Sequence, residues 1–238
     1  MTESEFRTSD GIPVPAVSAN EMREIDLVAV EDVGLDLLQM MENAGRNLAG
    51  HLLERDPGQI TVLAGNGGNG GGGLACARHL ENRDVSVTLV LDRSPDALDG
   101  ATATQYRVLD EMNVSIGTSD VPDVCREADT VVDSLIGYGL QGEPRGRTRD
   151  LIDQCNDTEQ PVVSLDVPSG LDATTGERPG PVVESDEILT LALPKTGLRE
   201  TDSPLYLADI SIPRVAYERV GIEYEIPFEE SYRVAIER

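Results

Sequence analysis

The apolar positions of this chain change period along its length, and the changes mark its elements. Met22, Ile25, Leu27, Val28 and Val30 recur on one helical face just after Ser18-Ala19-Asn20-Glu21. A serine with glutamate three residues later predicts a capped helix start, because each side chain satisfies a backbone N–H left unpaired in the first turn. From Leu35 to Glu54, apolar residues Leu37, Leu38, Met41, Ala44, Leu48 and Leu52 recur at three- and four-residue steps and predict a second helix. Met40, Met41 and Leu48 read as core, and any apolar part of this helix pair left exposed would be a dimer surface. Beyond residue 59 short apolar runs predict strands at 60–64, 85–91, 113–116, 130–134, 161–165, 188–193 and 205–210. Helical patterns separate several of them, at about 72–82, 97–112, 121–128 and 146–155. Strand alternating with helix argues for an α/β fold with a parallel sheet covered on both faces. The stretch 172–183, with Gly176, Pro179, Gly180 and Pro181, reads as a loop. Residues 1–17 are polar and proline-spotted and read as an N-terminal arm, while 18–238 show neither an internal repeat nor a break in composition.

Charge narrows the partners. Lys+Arg 19 against Asp+Glu 44 gives a net charge of −25, spread along the chain rather than gathered in a tail. Such a surface repels nucleic acid and anionic membranes. Lys195 is the only lysine. Dispersed acid with almost no lysine points to a halophilic, salt-rich cytoplasm, where screening removes the self-repulsion. No run of about twenty apolar residues is present and no signal peptide opens the chain, so a cytoplasmic location is expected. Cys76, Cys125 and Cys155 lie far apart in sequence and form no Cys-x-x-Cys; they read as reduced core thiols.

Three predicted strand ends carry chemistry. The first is Gly65-Asn-Gly-Gly-Asn-Gly-Gly-Gly-Gly73, between an apolar strand and the helix-like run from Leu74. Without side chains the backbone can close on a phosphate, and the amides of a first helical turn point at the anion. Gly65-x-Gly67-x-x-Gly70 also satisfies the dinucleotide fingerprint, with Asp92 ending the next strand. A dehydrogenase is therefore a rival reading, although the short-chain class is excluded: it needs Tyr-x-x-x-Lys, and Leu191 stands four residues before Lys195. The second end is Asp133, followed by a glycine turn at Gly137-Tyr138-Gly139; this acid could cap a turn, bind a cation or move a proton. The third is Asp166-Val-Pro-Ser-Gly-Leu-Asp172. Asp133, Asp166 and Ser169 on neighbouring strand ends would bring hard oxygens beside the glycine run, a set suited to an alkali or alkaline-earth ion rather than zinc.

Taken in order, the glycine run, the Asp133 segment and Asp166–Asp172 resemble the YjeF N-terminal domain, the NAD(P)H-hydrate epimerases. Glu21-Met22-Arg23, Met41-Glu42-Asn43-Ala44-Gly45-Arg46 and Leu191-Ala192-Leu193-Pro194-Lys195-Thr196-Gly197-Leu198 agree, and the resemblance spans about residues 18–215. It implies a three-layer α/β/α Rossmann-like sandwich, often a homodimer. It implies epimerisation of hydrated NADH and NADPH at C6 of the nicotinamide ring, and a separate dehydratase as pathway partner, since no dehydratase domain is fused here. It implies a potassium ion held by Asn69, Asp133 and Ser169. It implies substrate contacts from Gly68, Asn69, Gly70, Gly71 and Gly72, from Gly137, Tyr138, Gly139, Leu140, Gln141, Gly142 and Glu143, and from Asp166. Asp133 is assigned as the acid/base, with Asp166 orienting the substrate. The family loop usually reads Asn-Asn-Gly-Gly-Asp-Gly, whereas this chain places glycine at 68 and 72. The missing acid at 72 leaves open a second reading, a non-catalytic nucleotide-binding or scaffold module of the same fold.

Overall fold

The computed structural model describes residues 5–117, 124–223 and 225–238. In chain order these form β1 (Glu5–Thr8), β2 (Pro13–Pro15), α1 (Ala19–Leu27), α2 (Leu37–Leu53), β3 (Ile60–Ala64), α3 (Gly68–Glu81), β4 (Val87–Leu91), α4 (Gly100–Glu111) and β5 (Ser115–Gly117). There follow β6 (Thr130–Ser134), α5 (Gly146–Asn156), β7 (Val162–Leu165), β8 (Glu187–Leu191), β9 (Leu205–Ala208), α6 (Arg214–Val220) and β10 (Arg233–Glu237). The strands make one sheet in the order β2-β1-β10-β9-β8-β7-β6-β3-β4-β5. From β5 to β9 every pairing is parallel; β10, β1 and β2 extend the far edge antiparallel. Chain order reverses at β3, with β4 on one side and β6 on the other, and ligands gather at such a switch point.

Alternation within β3 shows why both faces need cover. All five of its residues are buried. Val62 packs with Leu74 of α3 and Leu109 of α4, while Leu63 joins Leu151 and Ile152 of α5. Side chains two apart share a face, so a strand apolar at every position must lie between two helical layers.

The helix pair is capped as its sequence predicts. Ser18 Oγ accepts from Glu21 N at 3.2 Å and Ser18 N donates to Glu21 Oε2 at 2.7 Å. Asp36 and Gln39 repeat the motif before α2. α1 is shorter than its pattern suggested and passes into a π-helical stretch, Val28–Val33, that Gly34 ends in the left-handed conformation. Met40, Met41 and Leu48 are buried, whereas Leu27, Val30 and Leu37 are exposed.

Residues 5–17 are ordered by contact with the sheet rather than frayed. Phe6 and Val14 are fully buried, β1 pairs with β10, and Val17 bonds the backbone of Pro194 and Thr196. Proline is admissible at both ends of β2 because that strand is the sheet edge. In the expected helix 121–128, residues 121–123 lie outside the described residues and 124–127 form turns. Cys125 and Cys155, distant in sequence, touch as buried free thiols. Among the described residues no helix is long and apolar enough to cross a membrane.

The glycine run is largely helical, since α3 begins at Gly68. Glycine weakens a helix by about 1 kcal/mol relative to alanine, so the five in α3 need a reason. Close approach supplies it. A Cβ on Gly70 would stand 1.7 Å from the Gly65 carbonyl, one on Gly73 1.9 Å from Ser134 Oγ, and one on Gly71 2.4 Å from Met41 Sδ. From the other side, a Cβ on Gly45 of α2 would meet Ala75 Cβ at 2.5 Å. Helix α3 is thus pressed against the β3 turn, β6 and α2 at once.

Candidate active site

A cavity of about 680 Å³ opens at the carboxyl ends of the central strands. α1 and α2 roof it through Met22, Asp26, Met40 and Met41; its floor is the first turn of α3, Gly67, Gly68 and Asn69. Unpaired N–H groups of that turn favour an anion. Gly139 is also on the wall, with open space where its Cβ would stand.

Asp166 follows β7 directly and takes φ +67°, a left-handed turn that aspartate tolerates better than most residues. The turn swings its carboxylate into the cavity, beside Lys195. Lys195 is 1% exposed, ion-pairs with Asp166 Oδ1 and donates to the Leu191 carbonyl at 2.8 Å. Asp166 Oδ1 also accepts from Leu191 N at 3.3 Å, and Oδ2 from Tyr138 N at 3.1 Å. Gly137 lets these groups meet, because a Cβ there would sit 3.0 Å from Asp166 Oδ2 and 3.2 Å from Asn69 Cγ.

Tyr138 joins this floor to the roof. Its backbone serves Asp166, and its hydroxyl donates to Asp26 Oδ2 at 2.5 Å. Burial raises the Asp26 carboxyl above its ordinary value, against the lowering hydrogen bond from Tyr138. Burial likewise pushes the Tyr138 phenol up, assisted by the nearby Asp26 charge. Asp26 and Lys195 escaped a role in the sequence reading, although Lys195 was visible as the sole lysine. Asp26 lies far from the strand ends in sequence, on a helix where periodicity alone marks it only as polar.

Asp133 is placed differently from expectation. It is 0% exposed and absent from the cavity wall. Its Oδ2 accepts from Ser164 Oγ at 2.7 Å and Ser169 N at 2.8 Å, and its Oδ1 from Ser169 Oγ at 2.5 Å and Leu135 N at 3.2 Å. Four donors fill the carboxylate, while burial still raises its pKa. Asp133 ties the Ser169 turn to the Leu135–Ile136 turn and stands behind the cavity wall. The carboxylates on that wall are those of Asp26, Asp92 and Asp166.

Several expected contacts also move. Gly70, Gly71 and Gly72 do not line the cavity. A Cβ on Gly72 would face Leu165 Cδ2 at 2.9 Å and Ala44 Cβ at 3.4 Å, so glycine here serves packing and its missing carboxylate takes nothing from the cavity wall. Leu140, Gln141, Gly142 and Glu143 lie off the wall as well. Glu143 pairs with Arg149 and packs on Gly180. Gly68, Asn69, Gly137, Tyr138, Gly139 and Asp166 all line the cavity.

Among the described residues no three His, Cys, Asp or Glu side chains cluster as a metal site. A hard monovalent ion asks for a different set, neutral oxygens with at most one carboxylate. Asn69 meets that description: both polar atoms of its carboxamide are buried without a hydrogen-bond partner. An orphaned buried amide costs about 1–3 kcal/mol, which a bound cation at its oxygen would offset. The Ser169 hydroxyl and the Asp133 carboxylate are the right kind of oxygen for such an ion but are bonded to one another, so of the three expected ligands the Asn69 amide is the one left unengaged.

Comparison with known proteins agrees with this architecture. Yeast YNL200c, at 24% identity, superposes with a TM-score of 0.80 over 93% of this chain and 100% of its own. A Dehalogenimonas lykanthroporepellens protein named NAD(P)H-hydrate epimerase is 43% identical, over 97% of this chain and 96% of its own length. One from Truepera radiovictrix with the same name is 37% identical over 87% and 94%. A Hyperthermus butylicus protein named bifunctional NAD(P)H-hydrate repair enzyme Nnr is 37% identical, and this chain spans 42% of it. Residues 37–197 match the family described as YjeF-related protein N-terminus. The chain belongs to the YjeF-related N-terminal family.

Proposed function

We propose that this protein interconverts the R and S forms of hydrated NADH and NADPH at C6 of the nicotinamide ring. The observation that carries this reading is the 43% identity, across nearly the whole of both chains, to a protein named for that activity. The cavity suits it chemically. Inverting C6 requires loss of its hydroxyl, or of the ring nitrogen, and return on the opposite face. Loss of hydroxide needs a proton, and re-addition of water needs one removed. Asp26, whose pKa burial raises, is assigned to give that proton; Asp166, paired with Lys195, is assigned to take it on return. Lys195 fixes the Asp166 carboxylate by ion pair and is itself fixed by the Leu191 carbonyl. The amides at Gly68 and Asn69 would take the diphosphate.

Potassium is the ion we assign to Asn69, Asp133 and Ser169, supported by the unpartnered Asn69 amide. When bound, it would supply positive charge against the buried Asp133 and the nearby phosphates. We assign the protein to a salt-rich cytoplasm, supported by the net charge of −25. A homodimer is supported by the exposed Leu27, Val30 and Leu37 on neighbouring turns, and sedimentation as a monomer at micromolar concentration would remove it. A dehydratase that consumes one epimer is the natural partner.

The direct test starts from each purified epimer of hydrated NADH. The protein should bring both to the same ratio, faster with potassium, followed by chromatography. A single epimer that persists unchanged beside folded protein would refute the activity.

A further inference from the structure

We propose that Asp92 and Arg93 form the subsite that distinguishes a ribose 2′-phosphate from a 2′-hydroxyl. Arg93 takes the 2′-phosphate of hydrated NADPH, and Asp92 takes the ribose hydroxyls of hydrated NADH. This rests on the reading that the cavity holds a pyridine dinucleotide.

Both residues line the same cavity as Asn69 and Asp166. Asp92 directly follows β4, the parallel neighbour of the strand that delivers the glycine turn. Where a strand, a glycine turn and a helix hold a diphosphate, the acid ending the next strand faces the adjoining ribose. The sheet runs β4-β3-β6-β7, so Asp92 and Asp166 stand three strand spacings apart, roughly 14 Å. With the diphosphate at the first turn of α3, the pyridine ring falls on the Asp166 side and the second ribose on the Asp92 side.

The two side chains are held unequally. The Asp92 side chain is 6% exposed, accepts from Thr148 Oγ1 at 3.3 Å, and its backbone N bonds the Ala64 carbonyl at 3.0 Å. Arg93 is 41% exposed and forks onto Asp92 alone among the described residues, Nε to Oδ1 at 2.8 Å and Nη2 to Oδ2 at 2.9 Å. A guanidinium fork fits a phosphate as well as a carboxylate. Arg93 can therefore turn from Asp92 to an arriving 2′-phosphate with no change in the strand end. Asp92 alone would repel that phosphate. With a 2′-hydroxyl in its place, the carboxylate accepts from the ribose. One ion pair thus admits both nucleotides.

The test compares KM for single epimers of hydrated NADH and hydrated NADPH. For Arg93→Ala, KM for the NADPH form should rise about tenfold or more, the loss of a charged fork, with the NADH form changed less than about twofold. Arg93→Lys should recover part of the loss. Asp92→Asn should raise KM for the NADH form and leave the NADPH form unharmed. Calorimetry with NADP⁺ and NAD⁺ on the same variants reads the split without turnover. Equal changes for both nucleotides, or none, would overturn the subsite. A protein that separates NADP⁺ from NAD⁺ through Arg93 yet epimerises nothing would overturn the proposed activity and leave the subsite standing.

Discussion

Replacing Lys195 by methionine tests the centre of the site most severely. The Lys195 side chain is 1% exposed, and the Asp166 side chain it meets is 5% exposed. Methionine keeps the length and the apolar stem but removes the charge. Asp166 then keeps only hydrogen bonds from Tyr138 N at 3.1 Å, Leu191 N at 3.3 Å and Thr190 Oγ1 at 3.5 Å. Breaking a buried pair by removing one partner costs about 3–5 kcal/mol, because the other charge is left uncompensated. In the folding equilibrium that is roughly two to three and a half decades. Removing both charges should cost much less. Asp166→Asn is the correct second change, since φ +67° would strain alanine or leucine but suits asparagine. Denaturant unfolding in molar KCl of wild type, Lys195→Met, Asp166→Asn and the double variant completes the cycle. The double variant should be more stable than Lys195→Met, while both lose epimerisation. Stability of Lys195→Met within about 0.5 kcal/mol of wild type would refute the reasoning, because so buried a pair cannot be silent.

Three further outcomes follow from the same geometry. Gly72→Asp, which restores the usual family residue, should not raise activity and should cost about 1–3 kcal/mol by overpacking Leu165 and Ala44; faster turnover would show that position 72 reaches the substrate. Asp26 has a raised folded pKa, so the folded state holds its proton longer than the unfolded chain, and its contribution to stability falls as pH rises above 3.8. Asp26→Asn should therefore gain stability relative to wild type as pH climbs through that window, and a flat difference in unfolding free energy between the two would contradict the burial argument. Lowering KCl from molar to dilute buffer should unfold or inactivate the protein through self-repulsion of its −25 charge; unaltered melting would remove the salt-rich assignment.

What could be seen in the sequence depended on how local the cause was. The central parallel strands were legible because burial on both faces writes an uninterrupted apolar run, as in Ile60–Ala64, whereas the edge strand β5, Ser115–Gly117, is only partly covered. β1 and β10 were not, since their apolar residues are too few and too interrupted to make a run: Phe6 stands alone in Glu5–Thr8, and charged residues close both ends of Arg233–Glu237. The glycine run announced close approach but not to what. Gly67 and Gly68 face the cavity, while Gly70 to Gly73 accommodate Gly65, Met41, Leu165 and Ser134, and glycine has no side chain to tell the two uses apart. Asp133 and Asp166 looked equivalent, both acids at strand ends. The difference is one turn of backbone: Asp133 is still within β6 and points inward, whereas Asp166 has left β7 and its left-handed turn carries it outward. No one-dimensional pattern records that rotation.

The junction of β1 with β10 has a consequence for how the chain is made. On a ribosome, the β1–β2 hairpin emerges before the other strands of the sheet, and β10, with which β1 must pair, emerges after them. Until Arg233–Glu237 is released, the outer edge of β9 and the inner edge of β1 both carry unsatisfied backbone. The nascent protein therefore closes its sheet only once β10 has left the ribosome, and the interval before that is when it is most exposed to mispairing with a neighbour on the same message.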